Sequence, residues 1–308
     1  MTRKDIPQGR LPFTSVNLMP RLSHGLDGLV RQLRAESATA PRAEANPSPS
    51  QPASRGDEGP IIDVEHVNLS FKKEKGEMQA LVDVSLSAYK GEFVALTGPS
   101  GCGKSTLLRI IAGLTHASSG EVKFNGTPVR GPRAELAMIF QNFVLLPWKT
   151  SLDNVIFGLS SRNDLTDEQK KTLGTEALDH AGLKGFENVY PGELSGGMKQ
   201  RVGIARALAL QPQVLLMDEP FSALDNLTAD RLRREIFSLL MNPSSSIQTV
   251  IMVSHNVDEI VELADRVVVL SPRPGHVVVD LKIDLPRPRN KKSDEFLLWV
   301  DKLYSYLA

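Results

Sequence analysis

One eight-residue segment, residues 98–105, constrains this chain more than any other, because it reads Gly-Pro-Ser-Gly-Cys-Gly-Lys-Ser. The pattern G-x-x-x-x-G-K-[ST] forms a loop whose glycines let backbone N–H groups wrap around phosphates. An apolar run over residues 92–97 precedes it, and residues 106–112 follow with apolar side chains at helical spacing. Strand, glycine loop and helix therefore occur in the order that a phosphate site requires. The segment predicts a nucleoside-triphosphate site in which Lys104 reaches the β- and γ-phosphates and the Ser105 hydroxyl ligates Mg²⁺.

A second motif lies at the end of another apolar run, where residues 214–217 lead into Asp218 and Glu219. A buried strand that ends in two carboxylates is the acidic counterpart of a phosphate-binding loop. Asp218 is predicted to hold Mg²⁺, directly or through water, and Glu219 to polarise the attacking water as a general base. Paired acids at a strand end often form only a solvated turn, but the loop at residues 98–105 favours the catalytic interpretation.

A third motif is the sequence Leu-Ser-Gly-Gly-Met-Lys-Gln-Arg at residues 194–201. The Ser-Gly-Gly at residues 195–197 opens a predicted helix, so it offers N–H groups and a positive dipole end to a second anion. One chain that binds one triphosphate does not need two such sites. We therefore expect this segment to serve a nucleotide held by another copy of the chain. A helix cap with glycines and no ligand is the alternative interpretation.

Composition limits the classes of partner. The 308 residues contain 36 Lys and Arg and 36 Asp and Glu, so the charge balance gives no reason to expect nucleic acid. Cys102 is the only cysteine, which rules out a disulfide within the chain and favours a reducing compartment. No apolar run approaches the roughly 18–20 residues that cross a bilayer. We therefore expect any association with a membrane to go through a partner protein.

The chain divides into an N-terminal extension, residues 1–59, and a folded domain, residues 60–308. Residues 35–60 contain no large apolar side chain and are predicted to be disordered. Before them, apolar residues recur at helical spacing. These are Leu22, Leu26, Leu29, Val30 and Leu33. The segment is either a nascent helix in a flexible tail or a docking element; the missing h-region and the acidic residues argue against a targeting peptide.

Within the folded domain, strands alternate with helices, which predicts an α/β fold with a largely parallel sheet. Earlier hairpins, one of them turning at Asn125-Gly126, predict an antiparallel β portion beside it. Residues 142–212 have a helical pattern and contain a capping-box sequence that begins at Thr166. A last amphipathic helix is predicted from Asp294 to Leu307.

The motifs together resemble the ATP-binding subunit of an ABC transporter, from about Ile61 to the end of the chain. The phosphate-binding loop, Gln141 after a strand, the Leu-Ser-Gly-Gly segment, the Asp218–Glu219 pair and His255 occur in the family's order and approximate spacing. One departure is Met198, which stands where many members carry Gln. The resemblance implies a P-loop NTPase (RecA-like) core with an antiparallel β subdomain and a helical ABC-specific subdomain, the latter inserted at about residues 142–212.

The resemblance also implies roles for individual residues. Phe71 resembles the aromatic residue that stacks on adenine, although a core strand aromatic is the alternative. Catalysis is assigned to Glu219, His255 as the switch histidine, and Gln141, which also senses the permease. The metal ligands are Ser105, Gln141 and Asp218. The nucleotide-binding residues are Phe71, Gly98, Pro99, Ser100, Gly101, Cys102, Gly103, Lys104, Ser105, Thr106, Ser195, Gly196, Gly197 and Asp225. Of these, Ser195, Gly196, Gly197 and Asp225 are expected to act across a dimer.

Two further segments, residues 145–155 and 270–275, are similar to the nitrate, sulfonate and taurine importer branch of the family. The resemblance implies a peripheral ATPase, using ATP and Mg²⁺, at the cytoplasmic face of a bacterial inner membrane. Its expected partners are a second copy, membrane-spanning permease subunits and, indirectly, a periplasmic or extracellular substrate-binding protein. The alternatives are a soluble ABC ATPase that acts on ribosomes or DNA, and a non-hydrolysing regulatory subunit. The single cassette argues against the first, and intact Lys104, Asp218, Glu219 and His255 argue against the second.

Overall fold

The computed structural model describes residues 59–73, 76–242 and 245–307. The N-terminal extension, including the apolar stripe over residues 22–33, lies outside the described residues except for Gly59. The strands of the described part are β1 (Ile62–Lys73), β2 (Gly76–Ala88), β3 (Phe93–Thr97), β4 (Ser119–Phe124), β5 (Thr127–Pro128), β6 (Leu136–Ile139), β7 (Val214–Asp218), β8 (Thr249–Val253), β9 (Arg266–Leu270) and β10 (Val277–Lys282). The α-helices are α1 (Lys104–Ile111), α2 (Ser151–Gly158), α3 (Asp167–His180), α4 (Gly196–Ala209), α5 (Asn226–Met241), α6 (Val257–Leu263) and α7 (Asp294–Leu307).

The first sheet is antiparallel and has the order β2-β1-β4-β5. Its hairpin between β4 and β5 turns at Asn125 and Gly126, which have φ values of 46° and 72°. Asn and Gly tolerate this left-handed conformation, and a two-residue hairpin needs it at both central positions. The predicted antiparallel portion is confirmed.

The second sheet has the order β10-β9-β3-β8-β7-β6. Neighbouring strands from β9 to β6 are parallel, and β10 runs antiparallel to β9 at the edge. Every residue of β3, β7 and β8 is buried, which explains why these strands are continuous apolar runs rather than alternating ones. The predicted parallel sheet is confirmed. Strand β10 was not predicted, because Val277, Val278 and Val279 hide the alternation of half-buried and exposed side chains at this edge.

Helices cover both faces of the parallel sheet. On one face, α1 shares an apolar core with the four-stranded sheet, and Leu107, Leu108 and Ile111 are completely buried there. On the other face, α5, α6 and α7 share a second core with alternate residues of the same strands. Because the strands from β9 to β6 are parallel, their carboxyl ends lie at the same edge of the sheet, between the two helical layers.

Helices α2, α3 and α4 pack around a third apolar core of their own. The predicted capping box is present at α3, where Thr166 Oγ1 accepts from the Gln169 N–H and the Gln169 side chain accepts from the Thr166 N–H. The predicted terminal helix, α7, has the expected bounds. Across the described ranges, no helix has the length and apolar character that crossing a membrane demands.

Candidate nucleotide-binding site

The site lies at the carboxyl edge of the parallel sheet, where five neighbouring strands end. Strand β3 leads into the phosphate-binding loop, β7 ends at Asp218, and β8 is followed by His255. Strand β6 is followed by Gln141, and β9 by Arg273. In open α/β sheets this edge is where ligands bind, because loops from neighbouring strands converge there.

The phosphate-binding loop makes turns that only glycine accommodates at two positions. Gly98 has a φ of 144°, and a Cβ atom there would lie 2.5 Å from the Leu270 carbonyl oxygen. Gly103 has a φ of 108°, and its Cβ would lie 2.6 Å from the Leu81 side chain. The loop is thus packed against β9 and β2 at backbone distance, which allows it to curl tightly before α1 begins.

Lys104 is held against the loop that precedes it. Its side chain is almost fully buried, and Nζ donates to the carbonyl oxygens of Gly98 at 2.7 Å and Pro99 at 2.9 Å. Helix α1 begins at Lys104 with no side-chain cap on its first turn. The N–H groups of that turn and the helix dipole therefore act beside an ammonium, and all three favour an anion at the loop.

Ser105 and Asp218 form a pair beneath the loop. The Ser105 hydroxyl donates to Asp218 Oδ1 at 2.8 Å, and Asp218 is only 2% exposed. Burial raises the pKa of Asp218, while the hydrogen bond from Ser105 and the charge of Arg109 oppose that rise. Mg²⁺ prefers oxygen ligands, and a buried carboxylate beside a hydroxyl supplies two of them, so the pair fits Mg²⁺.

Glu219 stands at the centre of a second polar group. Gln141 Nε2 donates to Glu219 Oε2 at 2.9 Å, and His255 Nδ1 lies 3.3 Å from Glu219 Oε1. Glu219 has a φ of 48°, an unusual value for a side chain of this size. Its N–H donates to the Val253 carbonyl at 3.0 Å, so β8 holds the residue in that conformation.

A cleft of about 480 Å³ joins the two groups. It is lined by Phe71, Ala80, Ser100, Gly101, Gly103, Lys104, Ser105, Thr106, Gln141, Glu219, His255 and Arg273. Phe71 is 41% exposed and lies on β1 at the side of the cleft away from the core. A more open depression of about 610 Å³ between α3 and α5 contains none of the predicted site residues.

Some predicted residues lie outside the cleft lining. Gly98 and Pro99 form the back of the loop, and the side chain of Cys102 is completely buried in the core. The Cys102 N–H donates to the Pro99 carbonyl at 3.3 Å. The segment at residues 195–197 and Asp225 are also absent from the lining. Asp218 is buried behind Ser105 and is absent from the lining as well. The structure therefore brings together the loop, Glu219, Gln141 and His255, with Asp218 joined to them through Ser105, but not the residues expected to act across a dimer.

Ser195 and Asp225 each cap a helix. Ser195 is exposed, and its hydroxyl accepts from the Met198 N–H at 3.2 Å at the start of α4. Asp225 accepts from the Thr228 N–H at 3.0 Å at the start of α5, and hydrogen bonds with Thr228 lower the pKa of Asp225. Gly197 lies close to the turn before α5, since a Cβ there would be 3.4 Å from the Ala223 carbonyl oxygen.

Two residues of the site were missed from the sequence. Gln200 is 1% exposed and ties α4 to the turn after β7: its amide donates to the Pro220 carbonyl and its oxygen accepts from the Ala223 N–H at 3.2 Å. Arg273 lines the cleft and contacts Gly101. Gln200 lies within a motif that drew attention only to Ser195, Gly196 and Gly197. Arg273 lies in residues 270–275, a segment whose sequence is similar to one branch of the family but predicts no contact.

Comparison with known proteins points to one family. The sequence profile described as "ABC transporter" matches residues 81–222. The uncharacterized ABC transporter ATP-binding protein MJ0412 of Methanocaldococcus jannaschii is 44% identical over 246 residues, which are 80% of this chain and 91% of the relative. The nitrate import ATP-binding protein NrtD of a Synechocystis species is 43% identical over 255 residues, 80% of this chain and 94% of the relative. The aliphatic sulfonates import ATP-binding protein SsuB of Bacillus cereus is 40% identical over 235 residues, 76% and 91% respectively.

A solved structure has the same fold. It is the dimeric, post-hydrolysis state of the ATP-binding cassette MJ0796 bound to ADP and Pi. The superposition has a TM-score of 0.66 at 31% sequence identity and covers 73% of this chain and all of that one. The predicted P-loop NTPase fold is confirmed.

Proposed function

This chain belongs to the ABC transporter family as an ATP-binding subunit, and from that premise we propose that it powers a membrane importer of small anions. In this proposal a dimer of the chain binds and hydrolyses ATP on the cytoplasmic face of a bacterial inner membrane. The observation that carries it is the convergence of Lys104, Ser105 and Glu219 on one cleft at the carboxyl edge of the sheet, with buried Asp218 bonded to Ser105 behind the lining.

Mg²⁺ would be held by Ser105 and Asp218, with Gln141 as the third protein group at the cleft. The 2.8 Å contact between Ser105 and Asp218 places a hydroxyl oxygen beside a carboxylate oxygen. Because the Asp218 carboxylate is buried away from water, a cation beside it is favoured. When bound, the ion supplies charge neutralisation at the phosphate oxygens. Lys104 supplies a second positive charge from the loop.

Glu219 is proposed as the general base. A water that attacks the γ-phosphorus gives its proton to the Glu219 carboxylate as the new O–P bond forms and the bond to the bridging oxygen of ADP breaks. Gln141 and His255 each contact a different oxygen of this carboxylate, at 2.9 Å and 3.3 Å. Both side chains restrict the rotation of the base, which favours its alignment with the water.

A second copy of the chain is proposed to complete each site. Ser195, Gly196 and Gly197 start α4 with N–H groups but lie outside the cleft of their own chain. A head-to-tail dimer would place them against the γ-phosphate bound by the partner, with Asp225 at the contact between chains. The solved relative with ADP and Pi is dimeric, which supports this arrangement.

The permease is proposed to dock beside Gln141. Several apolar side chains around this region are exposed, among them Val144 at 58%, Trp148 at 71% and Phe157 at 50%. Arg206 of α4 holds the backbone at Val144, because Nη1 donates to the Val144 carbonyl at 2.7 Å. Exposed apolar side chains next to a catalytic residue fit a partner whose position Gln141 would transmit to the site.

The cargo is proposed from the relatives. NrtD of Synechocystis is named for nitrate import and SsuB of Bacillus cereus for import of aliphatic sulfonates. Both cargoes are small anions, and taurine carries the same sulfonate group. We expect the cargo to be chosen by the permease and by a periplasmic or extracellular binding protein, not by this chain.

Growth of a deletion strain tests the proposal. A strain without this chain should fail to use nitrate as its nitrogen source, or taurine or another aliphatic sulfonate as its sulfur source, and the intact chain should restore growth. Glu219→Gln should not restore growth, whereas Glu168→Gln, an exposed change on α3, should. Unchanged growth and uptake on all of these anions in the deletion strain would contradict the importer assignment and favour a soluble ABC machine.

A further inference from the structure

The loop at residues 271–276, which follows β9, has no part in the chemistry proposed above. Its conformation is fixed from within by one buried side chain, Ser271. The Ser271 hydroxyl accepts from the His276 N–H at 3.0 Å, lies 2.8 Å from His276 Nδ1 and donates toward the Pro274 carbonyl at 3.1 Å. These hydrogen bonds restrict the backbone of the loop and so fix the position from which the Arg273 side chain extends.

The loop at residues 271–276 packs between β2 and the phosphate-binding loop. The Gly275 N–H donates to the Ala80 carbonyl and the Val82 N–H to the Gly275 carbonyl, each at 2.9 Å. A Cβ on Gly275 would lie 2.1 Å from the Cys102 carbonyl oxygen. The backbone therefore touches the four-stranded sheet on one side and the phosphate-binding loop on the other, with no room for a side chain at residue 275.

The Arg273 side chain extends from this loop to Gly101 of the phosphate-binding loop. Its Nη2 and Nε donate to the Gly101 carbonyl at 2.7 Å and 3.0 Å, and its Nη1 lies 3.4 Å from Met78 Sδ. Met78 pairs with Phe71 across the β1–β2 hairpin. The guanidinium thus joins the phosphate-binding loop to the strands that carry the predicted adenine-stacking residue, at the wall of the cleft.

We propose that Arg273 is a nucleotide-positioning residue, which engages the Gly101 carbonyl so that this dipole does not oppose the phosphates in the loop. A carbonyl oxygen and a phosphate oxygen repel each other, so the Gly101 carbonyl must point away from the ligand. The N–H of the same peptide unit, that of Cys102, donates to the Pro99 carbonyl at 3.3 Å. Gly101 has a φ of 76° and no Cβ, so its peptide planes reorient easily unless they are held. The two-point contact with a planar cation holds this one.

This role rests on the proposed function of the cleft, and it has a distinctive signature. Because Arg273 acts through the loop, its loss should weaken binding of any nucleoside triphosphate to the same extent, whatever the base. Lysine keeps the charge but lacks the fork that donates twice to one oxygen. Arg273→Lys should therefore retain part of the affinity that Arg273→Ala loses.

The test is equilibrium binding of MgATP and MgGTP to the full chain by calorimetry, with the KM and kcat for ATP measured in parallel. Arg273→Ala should weaken binding of both nucleotides by about tenfold, the factor expected for loss of a charge-assisted hydrogen bond. The KM for ATP should rise by a similar factor, and kcat at saturation should stay within about twofold. Arg273→Lys should be intermediate, and Arg130→Ala, a change at an exposed arginine after β5, should match the wild type.

The outcomes separate this inference from the proposed function. If the unaltered chain does not bind MgATP, the proposed function is contradicted. If it binds and Arg273→Ala binds equally well, only the role of Arg273 is overturned. Loss of affinity for ATP without loss for GTP would assign Arg273 to the base instead and would also overturn the proposal. Should Arg273→Ala fail to fold, the parallel partial loss for both nucleotides in Arg273→Lys decides the question.

Discussion

Two helices in this protein begin with glycine-rich segments, but only one of them leaves the N–H groups of its first turn without a side-chain partner. Helix α1 follows Gly103 and has no side-chain cap on its first N–H groups, whereas α4 follows Ser195, whose hydroxyl is bonded to the Met198 N–H. Lys104 adds a buried ammonium at α1. At α4, Ser195 is exposed and lies outside the cleft.

The difference shows why a helix start is not by itself a complete anion site. The dipole and the N–H groups are common to both helices, but the tight loop, the cation and the Ser105–Asp218 pair occur together only at α1. In the proposed dimer, the start of α4 acts on an anion that α1 of the partner already holds. Changes at α1 should therefore abolish function, and changes at α4 should weaken it.

The largest effect is expected at the base beside α1. Glu219→Gln should lower steady-state ATP hydrolysis by about 10²–10⁴-fold, because an amide does not accept the proton from water. Binding of ATP should persist, so an ATP-bound dimer should accumulate on size-exclusion chromatography. Glu168→Gln is the matched control. Turnover near that of the wild type in Glu219→Gln would remove Glu219 from the mechanism.

The next effect is expected at the start of α4. Ser195→Arg should reduce hydrolysis by about ten- to a hundredfold, the loss expected when a hydrogen bond to a charged phosphate is removed. Binding of ATP to the isolated chain should be unchanged, because Ser195 is outside its own cleft. Ser305→Arg, an exposed change on α7, controls for added bulk and charge. Equal loss of ATP binding by the isolated chain would contradict the distinction between the two helices.

A smaller effect, on stability, is expected at Gln200 of α4. Gln200 connects α4 to the turn that follows Glu219, and its removal takes the hydrogen-bond partner from the buried Pro220 carbonyl and from the Ala223 N–H. Gln200→Ala should lower the free energy of unfolding by about 1–3 kcal/mol. Chemical denaturation measures this loss, and Gln79→Ala, at an exposed position of β2, is the control for the substitution itself. Unchanged stability would show that Gln200 does not couple α4 to the turn that follows Glu219.

The smallest effect is a gain in stability. Burial raises the pKa of Asp218. Near neutral pH its carboxylate is therefore less favourable in the folded chain than in the unfolded chain, which lowers the stability of the fold. Asp218→Asn should therefore raise the melting temperature of the nucleotide-free chain by a few degrees near neutral pH. The advantage should shrink as the pH falls below the raised pKa of folded Asp218 and vanish below the ordinary pKa of Asp, where Asp218 is neutral in both the folded and the unfolded chain. A lower melting temperature at neutral pH would mean that the charge stabilises the empty site.

The sequence predicted the features that local patterns determine. The phosphate-binding loop, the acidic pair and the hairpin at Asn125-Gly126 follow from residues close together in the chain. Placement of Gln141 and His255 beside Glu219 also follows, because parallel strands end at one edge. The contact between Arg273 and Gly101 did not, since it joins residues 172 positions apart through a loop that docks on β2. Gln200 was missed for a related reason: its partners are set by how α4 packs on the turn after β7.

The most direct test of the comparison uses mixed dimers with distinguishable tags in the Glu219→Gln background, where ATP that co-elutes with the dimer is counted. One dimer carries Lys104→Ala in one chain and Ser195→Arg in the other; the second carries both changes in one chain. If α1 of one chain and α4 of its partner form each site, the first dimer keeps one intact site and the second keeps none. We therefore predict about one enclosed ATP per dimer in the first arrangement and almost none in the second, because ATP bound only by the α1 side of a site dissociates during chromatography. The reverse order would show that each chain completes its own site, and it would contradict the account.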